Sequence, residues 1–504
     1  MKNKLFLNSI TSITNQVVVL ICGFILPRLM ILTYGSSVNG LVSSINQFLN
    51  VIAFMQMGVG AVVQSALYKP LSDNDNDRIS AIYISAQRFF RSIACIFVIY
   101  VVILIFIYPK LTNSIFNTKF CGILILILAI NMFAQYYFGL TNQMLLYADQ
   151  KAYIPLLIDI FTIIGNTLIT VIIMNFGVPI HIVKFVSTII YVMRPFILTI
   201  YVRSHYSINH KISIKEEPIK QKWNGFAQHL ASTVMDNTDV ILLTTFSSLQ
   251  NVSIYYVYNL VTFGMRQMVS SLTVGVQSLF GNYIAKMRME NVRKKFEMTE
   301  LFFHFFITIL FSCTLILIIP FINVYTKGID DANYIQPLFS ILIVLSQCIY
   351  CYRLVYYIMI KAAGHYKETQ KSAVLEMIIN LLFSIIFVIK FGLIGVMIGT
   401  VIATAYRTIY FVHYLTKYIL KINLKTTIIC FICDIISIIS CYICCKNFKL
   451  INLDYISWIA LAIKVFIISF LIVFITFLFT NIIFNNQNLK DVIKTLKNKF
   501  RRNI

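Results

Sequence analysis

Charged side chains are scarce in this sequence: they make up 12% of 504 residues, and only 19 residues are acidic. Soluble domains carry about a quarter of their residues as charges, so no soluble globular class fits. Long hydrophilic loops are also missing. The longest loops on the side expected to face outward, Pro109 to Lys119 and Asn323 to Asn333, hold about 11 residues each, too few for the large outer domain of a multi-span polymerase or ligase. A nucleotide-binding motif is absent, which excludes a pump driven by its own ATPase. So is any compact His, Asp, Arg or metal-ligand constellation that could serve as a catalytic site. His181, His229, His304, His365 and His413 are scattered and are expected to be helix contacts. No catalytic residue, metal or cofactor is therefore expected.

What is present is apolar. Hydrophobic residues make up 59% and the mean hydropathy is +0.81, with long apolar runs from end to end. The runs predict an all-α polytopic membrane protein with fourteen transmembrane helices of about 20 to 30 residues each. The net charge of +23 could suggest nucleic acid, but most of the 42 Lys and Arg fall in the loops of one side and at both termini. That asymmetry is the positive-inside pattern. It predicts two cytoplasmic termini, no nucleic-acid partner, and a basic tail (485–504) resting on anionic lipid. Met1 to Leu32 reads as a first span, since its apolar segment is too long for a signal peptide and lacks a small-x-small cleavage site. Abundant Ile, Asn and Lys suggest an AT-rich bacterial genome, hence the bacterial cytoplasmic membrane. Of eleven cysteines, Cys430, Cys433, Cys441, Cys444 and Cys445 fall on one helical face, where small residues let membrane helices approach closely; zinc would want a turn between ligand pairs.

The spacing predicts six spans over residues 1–203, a polar loop at 204–222, six more spans over 223–420, two extra helices over 421–484, and the tail. The two halves are related. A shift of 213 superposes Val63-Gln64-Ser65 on Val276-Gln277-Ser278 and Phe89-Phe90 on Phe302-Phe303, and a shift of 215 superposes Phe176-Gly177 on Phe391-Gly392. An even number of spans per copy inserts both the same way up, the parallel-repeat arrangement of alternating-access transporters with a path between lobes.

The stretch from Trp223 to Ser248 carries His229, Ser232, Thr233, Asp236 and Asp239 at helical spacing. Ionisable groups at that depth cost a few kcal/mol or more and mark substrate or ion positions by default. Where two helices share a tight turn, residues equidistant from it lie at one depth. This matching pairs Asp159 with Arg194, Asp236 with Arg266, Glu376 with Arg407 and Asp434 with Lys464, all expected as structural ion pairs. Arg353 falls about one turn from Glu300. Arg28, Lys184 and Asp239 are left over by the matching. Arg28, Arg266 and Arg353 are then candidates to line a wet cavity and attract an anionic head group, with Asn259 and Gln277 on a polar stripe that also holds Thr262, Ser270 and Thr273. Gly395 and Gly399 read as helix-contact glycines.

Pro27-Arg28 with Tyr34-Gly35 and Asn39-Gly40-Leu41, Asp236-Asn237-Thr238-Asp239, and Phe391-Gly392-Leu393-Ile394-Gly395 leading to Thr400 give a further pointer. With them the chain resembles the polysaccharide flippases of the multidrug, oligosaccharidyl-lipid and polysaccharide exporter superfamily. The resemblance implies two six-helix lobes plus two helices, and export of an undecaprenyl-pyrophosphate-linked oligosaccharide taken from the inner leaflet, with glycosyltransferases and a polymerase as partners. Relatives often carry an acid where Gln56 precedes Met57-Gly58, so that role does not carry over. By likeness to lipid II flippases, a H+ or Na+ site would use Asp236 or Asp239, Glu376 with Asn380, and Thr400 or Thr404. Two other readings remain: a cation-coupled multidrug or metabolite antiporter of the same superfamily, and a membrane enzyme or scaffold of envelope polysaccharide assembly.

Overall fold

The computed structural model describes residues 2–56, 59–112, 116–209, 226–286, 288–422 and 424–483. Trp223, most of the 204–222 loop and the 485–504 tail lie outside them. Among the described residues every regular element is helical: α1 (Lys2–Tyr34), α2 (Ser36–Asn50, continued by a 3-10 turn to Met55), α3 (Val59–Asp73), α4 (Asn76–Leu111), α5 (Thr118–Ala134), α6 (Leu140–Ala148), α7 (Tyr153–Asn175), α8 (Ile180–His205), α9 (Phe226–Phe246), α10 (Leu249–Lys286), α11 (Met289–Tyr325), α12 (Pro337–Ala362), α13 (Tyr366–Phe391), α14 (Leu393–Tyr414), α15 (Leu424–Cys445) and α16 (Tyr455–Ile483). Local chemistry places the starts. Asp75 caps α4 by accepting from Arg78 N at 3.0 Å, Asn117 caps α5 by accepting from Phe120 N at 2.7 Å, and Pro337 opens α12 where its missing N–H costs nothing.

Twelve stretches among the described residues are long and apolar enough to cross a bilayer. Helices α9 and α10, counted among the fourteen expected spans, are not in that set because their polar stripes lower their apolarity. The duplication shows in the helix starts: α10, α11, α13 and α14 begin 213 residues after α2, α4, α7 and α8. The repeated Phe-Gly pair supplies a positive-φ glycine to both connections, although the first is four residues long and the second is Gly392 alone. Gly177 between α7 and α8 has φ 67° and Gly392 between α13 and α14 has φ 53°, a left-handed backbone that glycine adopts without a Cβ penalty.

The chain forms two compact units, Met1–Tyr256 and Val257–Ile504, so the division falls inside α10 rather than in the 204–222 loop. The physical reason is that α9 and the start of α10 are bonded to α2. Asn39 donates to Ser253 Oγ at 2.7 Å, the Ser44 and Thr244 hydroxyls lie 2.7 Å apart, and Gln47 donates to the Asp236 carbonyl at 2.8 Å. In the first unit α1 packs along α7 and α5 along α8. Arg194 of α8 forms an ion pair with Asp159 of α7, and Lys184 places its ammonium 3.2 Å from the Met30 sulfur. In the second unit α13 packs closely on α14, and α11 on α12, α15 and α16. Cys441 and Cys445 sit in apolar clusters with Ile309, Leu317, Leu461, Val465 and Val473, as helix-contact residues do.

The start of α1 is tied down by Asp149, in the turn after α6. That carboxylate accepts from the Tyr206 hydroxyl at 2.5 Å and pairs with Lys151 at 2.7 Å and Lys4 at 3.7 Å. Partial burial pushes its pKa up, but the hydrogen bonds from Lys151 and Tyr206 and the two lysine charges outweigh it and hold the carboxyl below its usual range. A depressed carboxylate pKa contributes stability that is present above the unfolded value and lost as pH falls through the folded one. The hydrogen-exchange protection of the turn 149–152, taken relative to the intrinsic rate at each pH, should therefore fall on acidification below the ordinary Asp range. Asp149→Asn should remove that pH dependence, and an unchanged profile in this variant would assign it elsewhere.

Candidate functional site

The second unit gathers arginines and aromatic rings around one carboxylate. Helix α12 sets Tyr350, Arg353, Tyr357 and Lys361 on one face at steps of three and four. Neighbouring helices supply Phe263 and Arg266 (α10), Glu376 (α13), and Arg407 and Phe411 (α14). Both Glu376 oxygens are taken: Oε1 accepts from Arg353 Nη1, and Oε2 from Arg407 Nη1 at 2.5 Å. All three side chains are buried, Glu376 at 1% exposure, Arg353 at 6% and Arg407 at 7%.

The rest of the positive charge lies on ring faces. The Arg266 and Arg353 guanidinium carbons sit 4.6 and 4.5 Å from the centre of the Tyr350 ring. Arg266 also lies 5.2 Å from Phe263, and Arg407 5.0 Å from Phe411. The Lys361 ammonium is 4.0 Å from Tyr357. Such contacts are worth about 0.5–2 kcal/mol each, less than the several kcal/mol that burying an ion costs. The Glu376 carboxylate is thus shared by two guanidinium groups, which stay protonated in proteins. The buried Arg407 Nε has no hydrogen-bond partner. The surplus is positive, and an anion with several oxygens is the ligand chemistry that answers it.

Several sequence expectations are revised by these contacts. Glu376 meets Arg407 as matched by depth, but it also holds Arg353, which had been set near Glu300. With both oxygens on guanidinium groups, Glu376 is engaged as a counter-ion, which weighs against a direct cation-coupling role. Asp434 does not pair with Lys464: its Oδ2 lies 2.5 Å from His304 Nδ1 and its Oδ1 accepts from Thr308 at 2.8 Å, while Lys464 is exposed. Glu300 accepts from Tyr356 at 2.7 Å. His304 is thus held among buried acids rather than being an ordinary helix contact.

The remaining candidates fall as follows. Asn259, Arg266 and Gln277 are half-buried on α10, and Thr262 and Thr273 bond carbonyls of their own helix. Arg28 is half-buried on α1 in the first unit. There Asp236 is exposed, and Asp239 is buried and accepts from Tyr255 at 3.1 Å. Asn380 donates to Thr400 Oγ1 at 3.0 Å and leaves its own Oδ1 buried with no donor, and the Thr404 hydroxyl bonds the Thr400 carbonyl. Sequence reasoning missed Tyr350 as the ring between two arginines. The i, i+4 spacing of Glu300 and His304 was the available signal for the acid–histidine cluster.

No family model and no curated protein matches the sequence. Solved structures do. The chain is similar to the lipid II flippase MurJ in an inward closed conformation, with a TM-score of 0.67 at 18% identity over 97% of this chain and 100% of that one. It is also similar to a multidrug resistance MATE family transporter of the MOP superfamily in an inward-facing conformation (TM-score 0.62, 11% identity, 80% and 95% covered) and to a eukaryotic MATE transporter (TM-score 0.56, 11% identity, 83% and 97% covered). The chain shares the all-α, multi-pass membrane fold of these structures.

Proposed function

We propose that this protein is an alternating-access exporter that carries a polyprenyl-pyrophosphate-linked oligosaccharide across a bacterial cytoplasmic membrane, with both termini on the cytoplasmic side. The observation that carries the reading is that Arg353 and Arg407 share the one carboxylate of Glu376 and that the buried Arg407 Nε has no hydrogen-bond partner, with Arg266 beside them on the Tyr350 ring. Guanidinium forks match phosphate oxygens two at a time, and a pyrophosphate linked to a lipid is such an anion. Arg28, Asn259 and Gln277 complete the proposed substrate set. The MOP fold supports the mechanism, since structures with this fold include a lipid flippase and MATE transporters. Glycosyltransferases and a polymerase would supply and consume the cargo. Of the residues set aside for cation coupling, Asn380 with its undonated Oδ1, Thr404, Asp236 and Asp239 remain in the proposal.

Arg266 is the residue to test, because Arg353 also holds Glu376. A charge-assisted hydrogen bond is worth about 1.5–3 kcal/mol, so Arg266→Ala should cut surface-polymer assembly about tenfold or more at unchanged membrane abundance, with the lipid-linked intermediate accumulating inside. Normal polymer would overturn the assignment. The antiporter reading rests on likeness to MATE structures and calls for an acidic cavity; uptake of an organic cation into vesicles would favour it.

A further inference from the structure

A second ionisable cluster in this unit is not used by the arginine site. Helix α11 carries Glu300 and His304 one turn apart, α12 carries Tyr352 and Tyr356, and α15 carries Asp434. Glu300 and His304 are each 3% exposed, Asp434 8%, and Tyr356 fully buried. Their polar atoms form one continuous chain. Asp434 Oδ2 lies 2.5 Å from His304 Nδ1, His304 Nε2 lies 3.2 Å from the Tyr356 hydroxyl, and that hydroxyl is 2.7 Å from Glu300 Oε1, which also accepts from Thr427 at 3.0 Å.

We propose that Glu300, Tyr356, His304 and Asp434 form a proton-binding relay. Two arrangements of one proton count satisfy the same four atoms. In the first, Glu300 is ionised and accepts from Tyr356, whose oxygen accepts from His304 Nε2–H, while Nδ1–H donates to ionised Asp434. In the second, Glu300 is protonated and donates to the Tyr356 oxygen, the Tyr356 hydroxyl donates to His304 Nε2, and Nδ1–H still donates to Asp434. Passing between them moves one proton from Glu300 to the tyrosine oxygen and the tyrosine's own proton to the imidazole, so the atoms balance and no other reactant is needed. Either arrangement carries one negative charge. Adding one proton gives neutral Glu300 beside an imidazolium–Asp434 pair and brings the cluster to zero, the state a low-dielectric interior favours.

The groups facing the cluster set its charge. Helix α11 adds the half-buried Glu297, α12 adds Tyr352 and Cys348, and α15 adds Cys430 and Cys433. The cations of α15 and α16 nearest in sequence, Lys425 and Lys464, are exposed. A crevice of about 20 Å³ opens beside His304 and Asp434, walled also by Ser437 and Thr476. That is room for roughly one water with polar neighbours on several sides, a route by which a proton could exchange. Service as the coupling-ion site rests on the transport reading above, whereas binding of the proton does not.

The test is infrared difference spectroscopy of the purified full chain in lipid vesicles across the range where carboxyl and imidazole groups titrate, with no sugar-linked lipid present. Its failure is thereby distinct from failure of the arginine site. A protonated-carboxyl band should titrate in the wild type, vanish in Glu300→Gln, and shift its midpoint by about one pH unit or more in His304→Gln, as loss of a neighbouring charge requires. Tyr356→Phe keeps the ring and removes the bridge; in that background His304→Gln should shift the midpoint by clearly less than it does with the hydroxyl present, only the through-space part of the effect remaining. A spectrum of Glu300→Gln identical to wild type, or a full shift retained without the tyrosine hydroxyl, would overturn the relay.

Discussion

Glu376→Leu should be among the most destabilising substitutions in the molecule, with a loss of about 3–5 kcal/mol. It removes the one carboxylate shared by Arg353 and Arg407, leaving two buried guanidinium groups with no counter-ion. Ring contacts with Tyr350 and Phe411 compensate only in part. Against total stabilities of about 5–15 kcal/mol for globular domains, such a loss is a large fraction, and it should appear as a marked fall in melting temperature in detergent. The triple change Arg353→Met, Glu376→Leu and Arg407→Met should recover much of the stability, because replacing a buried ionic group by apolar side chains of similar volume is often neutral or better. It should not recover transport, since two of the guanidinium groups proposed to meet the anion are gone. Wild-type melting for Glu376→Leu alone would show that these charges are solvated rather than closed around the carboxylate.

The second large effect concerns the contact of α13 with α14. A Cβ at Gly395 would lie 2.1 Å from the Phe387 carbonyl oxygen, and one at Gly399 would lie 2.2 Å from Ser384 Oγ and 2.5 Å from its backbone nitrogen. Backbone cannot rotate aside as a side chain can, so either methyl group must push two helices apart. Overpacking of this kind costs about 1–3 kcal/mol per site. Gly395→Ala combined with Gly399→Ala should therefore lower the melting temperature well beyond a control at Gly165 on α7, where nothing lies within 4 Å of an added Cβ and Ala should be neutral or stabilising by up to about 1 kcal/mol. Equal behaviour of the control and the double variant would mean that α13 and α14 are further apart than described.

Much of the fold was legible in the residues because it depends on local properties. Apolar runs specify helices that bury their own backbone bonds in lipid, and the offset between halves reappears as four helix starts displaced by 213 residues. The division between compact units was not legible in the same way. Composition marks the 204–222 loop, yet α9 bonds to α2 through Ser44 and Thr244 and extends the first unit to Tyr256. The candidate site was legible as a set of charges and illegible as a set of partners. Matching by depth placed Arg407 and Arg194 opposite their acids, but gave Asp434 to Lys464 and left Arg353 about one turn from Glu300.

The sequence by itself determined a membrane-embedded, all-helical, duplicated chain with a few ionisable groups at depth, because hydropathy and helical period are summed over neighbours along the chain. Tertiary structure alone decided that Arg353 and Arg407 share Glu376, that Tyr350 lies between two guanidinium groups, and that His304 joins Asp434. Counting from a turn yields only the height of a residue in the bilayer. Which group it meets depends also on the rotation of its helix and on which helices stand beside it, and both are set by the shapes of side chains distant in sequence.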